Sequence, residues 1–307
     1  NAFAKSVTEI AKKNDNIILL SGDIGNRLFN DFRKNFENRF YNCGIAEANM
    51  TSVAAGLSTC GLKPITYTIA SFNTLRCLEQ IKLDVCYPNR PVIIVGTGAG
   101  LSYANLGSTH HTIEDIGILK NFPNLQILCP SDASETKFAL KEAIKSKKPT
   151  YIRLGKKGEP DLKLKNKFRI GQVHEILKGK KKDLLIISYG TILSEVMKSV
   201  KYFNNVGIYP TILKTDTINP IDMNKIVKQI KKFKNISIIE EHLELTGLGS
   251  QISDFLIRKK IKAKNIKIMG LPKLFLSSCG NQNQAREKFN ISSKNIFKEI
   301  LSSYLYK

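Results

Sequence analysis

Three segments hold residues whose types and spacing fit chemistry. In NCGIAEANM (42–50) a short apolar run ends, Gly44 permits a tight turn, and Glu47 opens a stretch rich in small residues, among them Ala46, Ala48, Ala54, Ala55 and Gly56. Glu47 therefore reads in two ways. It is a favourable negative charge in the first turn of a helix, or a carboxylate packed near a core, where its proton is shared with a ligand atom. The residues alone leave the two even. In TIASFNTLRCLEQ (68–80) Phe72 follows a strand-like run. Open α/β sheets place ligands at the carboxyl ends of strands, and an aromatic there is either core or a ring that stacks on a planar ligand.

The third segment, GTGAGLSYANLGSTHHTIED (96–115), ends its glycine-rich half in His110 and His111, two of the four histidines of the chain. A dinucleotide fingerprint fails on spacing, because the third glycine would fall at residue 101, which is Leu. Two histidines at the mouth of a Gly-rich loop suit proton handling or substrate contact. A zinc site would need further ligands, and no cluster supplies them; the expectation is no metal bound by this chain.

The elements that must carry these segments alternate between short β-branched runs and amphipathic stretches, the pattern of parallel α/β layers. Strands are expected near 16–21, 39–42, 65–69, 92–95, 125–129 and 150–154, with helical patterns near 46–59, 72–87, 113–121 and 133–145. A basic connector, 161–182, holds at most one edge strand. A second set then follows: strands near 184–188, 206–209, 236–240 and 266–269, helices from 194, 222 and 249, and a closing helix over 290–305. The expected organisation is two three-layer α/β/α domains with mostly parallel sheets, over 1–160 and 183–307.

With 307 residues and 42% hydrophobic content the chain can bury two cores. No run of about 20 apolar residues crosses a membrane. NAFAKSVTEIAKKN lacks the layout of a secretion signal, and the six scattered cysteines fit a reducing cytoplasm. The net charge of +22 is spread over many helix faces without interleaved stacking aromatics. Solvated lysine-rich surfaces explain it better than nucleic acid does.

GIAEANM, SFNTLRCLEQI, GSTHHTIEDIGILKNFPNLQILCPSDASE and PTYIRLGKKGEP together resemble the pyrimidine-binding domain of the transketolase family. SYGTILSEV, TINPIDMNKI, IIEEHLELTGLGSQI and GLPKLF resemble its C-terminal domain, in the same order. The resemblance implies thiamine diphosphate as cofactor. Glu47 matches the glutamate that bonds the ring nitrogen of the aminopyrimidine, Phe72 the aromatic that stacks on that ring, and His110 the substrate-facing histidine. Glu47, Phe72 and Arg76 form the expected cofactor-binding set, Glu47 and His110 the catalytic pair. His110, His111, Leu106, and a phosphate-binding cation at Arg153 or Lys156, form the expected substrate set.

Two departures stand out. Relatives carry an acid where this chain has Leu106. The diphosphate- and Mg2+-binding half is missing, since GDIG (22–25) lacks the third glycine and lies on the first strand of the other domain. The resemblance thus implies an N-terminal partner subunit that binds the diphosphate and Mg2+, a homodimer core within an α2β2 assembly, and transfer of a two-carbon ketol unit to an aldehyde or sugar. The alternatives are the β subunit of a 2-oxo acid dehydrogenase, a deoxyxylulose-phosphate-synthase-like protein, and a non-catalytic interaction subunit.

Overall fold

Where Val, Ile and Leu run without polar interruption, the chain forms strands buried on both faces, as parallel sheets covered by helices require. The computed structural model describes residues 2–25 and 27–305. The first sheet contains β1 (Ile17–Ser21), β2 (Phe40–Asn42), β3 (Lys63–Ile69), β4 (Ile93–Thr97), β5 (Gln126–Leu128) and β6 (Thr150–Arg153). The second contains β7 (Val173–Leu177), β8 (Leu184–Ser188), β9 (Thr211–Thr215), β11 (Asn235–Leu243) and β12 (Asn265–Leu271), while β10 (Thr217–Asn219) crosses back to the first. Their orders are β10-β5-β6-β4-β3-β1-β2 and β12-β11-β8-β9-β7. All neighbouring pairs are parallel except β10 with β5 and β7 with β9. These are the two mostly parallel α/β sheets that the residue pattern leads one to expect.

Three local differences have plain causes. The apolar run 206–209 is not a strand. It closes the helix Leu193–Asn205, with Gly207 at φ +77°, its N–H on Asn204 O at 3.1 Å, and the Ile208 N–H on Phe203 O at 3.0 Å. This double closure is a Schellman ending, so β9 starts only after Pro210. The single helix expected over 72–87 is broken into Ala70–Thr74, Leu78–Gln80 and a π-helical stretch, Ile81–Cys86. Cys77, at φ −104° and ψ 14°, leaves helical geometry. The connector is not wholly exposed: Phe168 sits in the first domain's core, and β7 forms the edge of the second sheet.

One helix that frames the first domain starts at a side-chain cap. Asp132 caps the helix Ala133–Ser146 by accepting the Glu135 N–H at 2.9 Å, and Glu135 Oε2 accepts the Ser131 N–H at 2.8 Å. The first bond satisfies one of the helix's orphan amides, and the second pairs the amide just ahead of the cap. The two domains share one apolar cluster, in which Cys129 and Tyr151 of the first meet Leu185, Tyr189 and Ile218 of the second. Among the described residues no helix is long and apolar enough to cross a membrane.

Candidate active site

At the carboxyl ends of β1, β3 and β4 the three segments meet. Glu47 is the first residue of the helix Glu47–Thr59 and is 2% exposed. Its Oε2 accepts a hydrogen bond from Arg76 Nη1 at 2.7 Å. The helix break at Cys77 is what allows this, since Arg76 lies in the interruption rather than on a continuous helical face. The Arg76 guanidinium lies over the Phe72 ring, 4.4 Å from its centroid, a cation–π contact. Phe72 in turn meets the His110 ring at 5.2 Å and 62°.

His110 stands on the loop after β4. Thr109 Oγ1 lies 2.9 Å from its Nδ1, which leaves Nε2 as the free ring nitrogen among the described residues. Tyr103 backs the ring at 5.8 Å, and Lys156 Nζ lies over the Tyr103 ring at 4.4 Å. Burial, then the nearby Lys156 charge, hold the His110 ring below its ordinary value, so its neutral form is favoured. Gly98 makes the arrangement possible. It sits at φ +76°, and a Cβ there would fall 1.9 Å from Tyr103 Cε2.

Next to Glu47 the backbone leaves a cradle. A Cβ on Gly22 would lie 2.9 Å from Thr68 Oγ1 and 3.6 Å from Glu47 Cγ, so only glycine keeps this gap open. The hydroxyls of Thr68 and Ser71 are buried and have no hydrogen-bond partner among the described residues. Buried polar groups are normally paired. Thr68, across the Gly22 gap from the Glu47 carboxylate, and Ser71, next in the chain to the half-buried Phe72, are thus left with hydroxyls able to meet the polar atoms of a ligand.

Glu47, Arg76, Phe72, His110 and, through Tyr103, Lys156 thus form one continuous line, and Leu106, 43% exposed, lies on the same loop as His110. Two expected substrate residues lie elsewhere. Arg153 is buried. Its Nε bonds Asp115 Oδ2 at 2.8 Å, and its Nη2 bonds the carbonyls of Thr112 and Glu241 at 3.0 and 3.1 Å. A guanidinium so engaged joins the two domains and cannot meet a substrate phosphate; of the two cations, Lys156 is the one at the site. His111 turns inward, 3% exposed, with the Ala104 backbone beside its ring. Burial lowers its affinity for a proton. Of the two adjacent histidines, His110 is therefore the one that meets Phe72 and Tyr103, while His111 is packed inside. Sequence reasoning missed the Glu47–Arg76 pairing, Tyr103, and the Thr68 and Ser71 hydroxyls. The spacing of Phe72 and Arg76 offered a signal for the cation over the ring, but nothing local marks the hydroxyls.

Residues 1–159 match the transketolase pyrimidine-binding domain, and residues 173–296 match the transketolase C-terminal domain. The chain belongs to the transketolase family. It is 29% identical over 303 residues to one subunit of the apulose-4-phosphate transketolase of Phocaeicola vulgatus, a match covering 98% of this chain and 95% of that protein. The corresponding chain from Actinobacillus succinogenes is 32% identical over 272 residues, 88% of this chain and 86% of that one. A solved structure described as a split gene transketolase, inactive beta4 tetramer, superposes with a TM-score of 0.86 at 29% identity, covering 98% of this chain and 96% of that one. The family is thiamine-dependent, and these relatives are subunits of multi-chain or split transketolases. The line from Glu47 to Lys156 thus lies in the pyrimidine-binding domain of a transketolase-type chain.

Proposed function

We propose that this chain is the pyrimidine-binding and C-terminal subunit of a split, thiamine-diphosphate-dependent transketolase, which moves a two-carbon ketol unit from a ketose donor to an aldehyde or sugar acceptor. The observation that carries the reading is the continuous contact of Glu47, Arg76, Phe72 and His110 beside the unpaired Thr68 and Ser71 hydroxyls. Thiamine diphosphate, when bound, supplies the electron sink for breaking and making a carbon–carbon bond next to a carbonyl. Glu47 shares a proton at the ring nitrogen of the aminopyrimidine. Arg76 already occupies Oε2, which leaves Oε1 for that ring. The Phe72 ring stacks on the heterocycle, and Thr68 and Ser71 offer it hydroxyls. His110, kept neutral, accepts or donates the proton at the substrate oxygen through Nε2, and Lys156 receives a phosphate.

The diphosphate and its Mg2+ fall to a partner chain in this reading. Among the described residues there is no group of three or more His, Cys, Asp or Glu side chains fit to hold a metal ion. Beside the Glu47 cradle Ile45 is 83% and Tyr41 49% exposed, apolar surface of the kind a partner chain covers. The related structure described as inactive contains one subunit type, which accords with a chain that needs a second to work. The expected assembly is α2β2, in the cytoplasm.

Calorimetric titration of thiamine diphosphate with Mg2+ tests the division of labour. The expected outcome is weak binding by the chain alone and strong, Mg2+-dependent binding once the partner is present. Tight Mg2+-dependent binding by the isolated chain would contradict it.

A further inference from the structure

The loop that carries His110 belongs to the first domain by sequence, yet it is fastened to the second. Leu101, Ala104 and Ile113 are buried in the second domain's apolar cluster, with Ile186, Ile239 and Leu276. Ala104 O accepts the Cys279 N–H at 2.7 Å, Ile113 O accepts the Leu243 N–H at 2.8 Å, and Ser108 Oγ donates to Leu276 O at 2.8 Å.

One carboxylate enters this seam from β11. Glu241 is 2% exposed. Its Oε1 accepts the Leu101 N–H at 2.7 Å and Gln282 Nε2 at 2.8 Å, and its Oε2 accepts Arg286 Nε at 2.6 Å. A Cβ on Gly100, which sits at φ +66°, would fall 2.4 Å from Oε1, so carboxylate and loop backbone touch with no room between them. Gly100 and Thr112 exchange N–H···O bonds at 2.8 and 3.2 Å. They close the neck of the loop, and Tyr103 and His110 stand inside it.

We propose that Glu241 is a positioning residue for His110: from the second domain it clamps the Leu101 amide and so fixes the loop that sets the ring against Phe72 and Tyr103. All three groups that Glu241 meets are donors, and it satisfies them only as a carboxylate. Glutamine, with its NH2, must turn a donor toward either Leu101 and Gln282 or Arg286, and the unpaired group then loosens the seam. Released from its contacts, the His110 ring gains water and loses its fixed distance from Lys156, so its proton affinity rises toward that of a free histidine.

The importance of this for turnover rests on the role proposed above for His110, but the clamp itself can be read on the ring's own proton. In the full chain with 15N-labelled histidine, the His110 imidazole is assigned by loss of its signal in His110→Gln and titrated by NMR. Its surroundings are Thr109, Tyr103, Phe72 and Lys156, with Arg76 beyond Phe72 and His111 next in the chain. The expected midpoint lies below the free value in wild type and moves up in Glu241→Gln. It moves up by less in Gln282→Leu, a milder change at a half-exposed position that decides the matter should Glu241→Gln not fold. Glu195→Gln perturbs the same Arg286, 3.9 Å away, without touching the loop and leaves the midpoint in place. In the enzyme reconstituted with its partner, Glu241→Gln lowers kcat about tenfold to a hundredfold, as expected for a displaced catalytic group. A His110 midpoint unmoved by both loop variants, or moved equally by Glu195→Gln, overturns the proposal. Absence of ketol transfer in the wild-type assembly would refute the function instead, and the titration would still decide the clamp.

Discussion

Glu47→Gln separates a working carboxylate from a structural one. The substitution keeps volume and a carbonyl oxygen, which can still accept the Arg76 Nη1 bond seen at 2.7 Å. What is lost is the charge of a pair whose arginine side chain is 45% exposed. Solvent screens such a pair, so the cost to folding is about 1 kcal/mol or less, roughly a 2 °C fall in Tm for a protein of this size. Turnover should respond on another scale. Removing a positioned acid–base group slows a reaction by about 10²–10⁴, equivalent to about 2.7–5.5 kcal/mol of transition-state stabilisation. The assay pairs calorimetric Tm with ketol transfer by the variant reconstituted with its partner and saturated with cofactor. A small Tm change with a turnover loss of at least a hundredfold is expected. Turnover within about threefold of wild type would remove Glu47 from the chemistry. A turnover loss that only tracks the folded fraction would return it to a helix-terminal charge.

Two further outcomes follow from the geometry. Leu106, 43% exposed on the His110 loop, can neither accept a hydroxyl's hydrogen bond nor carry charge, so the preferred substrate should present a deoxy, amino-modified or otherwise apolar carbon there. Leu106→Asp should change Tm little, as surface substitutions do, while raising kcat/KM for a hydroxylated ketose phosphate relative to its deoxy analogue; a wild-type preference for the hydroxylated sugar would refute the assignment. His242 is fully buried, accepts the Gly117 N–H at 3.2 Å, and is held by burial at about 4, below the ordinary histidine value of 6.5. Between those values the unfolded chain takes up a proton that the native ring refuses, so stability falls as pH drops through the window. Tm of wild type should therefore decline from pH 6.5 to 4 more steeply than that of His242→Gln, which keeps an acceptor for Gly117; equal slopes would show that other groups govern the decline.

Sequence alone determined the alternation of strands and helices, because buried parallel strands demand unbroken β-branched runs and covering helices demand an apolar stripe. It also singled out Glu47, Phe72 and the His110–His111 pair as candidates, but it was the family resemblance, not residue type, that gave each a role. Its errors were local closures and directions. The run at 206–209 is strand-like in composition, but Gly207 consumed it in ending a helix. Arg153 and Lys156 are alike as cations, yet the strand buries one against Asp115 and the loop leaves the other beside Tyr103. His110 and His111 are identical in type and adjacent, and only the backbone between Gly107 and Thr112 decides which faces the cleft. The pairing of Glu47 with Arg76, 29 residues apart, and of Leu101 with Glu241, 140 residues apart, lay beyond any local pattern. Side-chain direction and long-range contact depend on how separate elements pack, and that is settled only when the whole chain has folded.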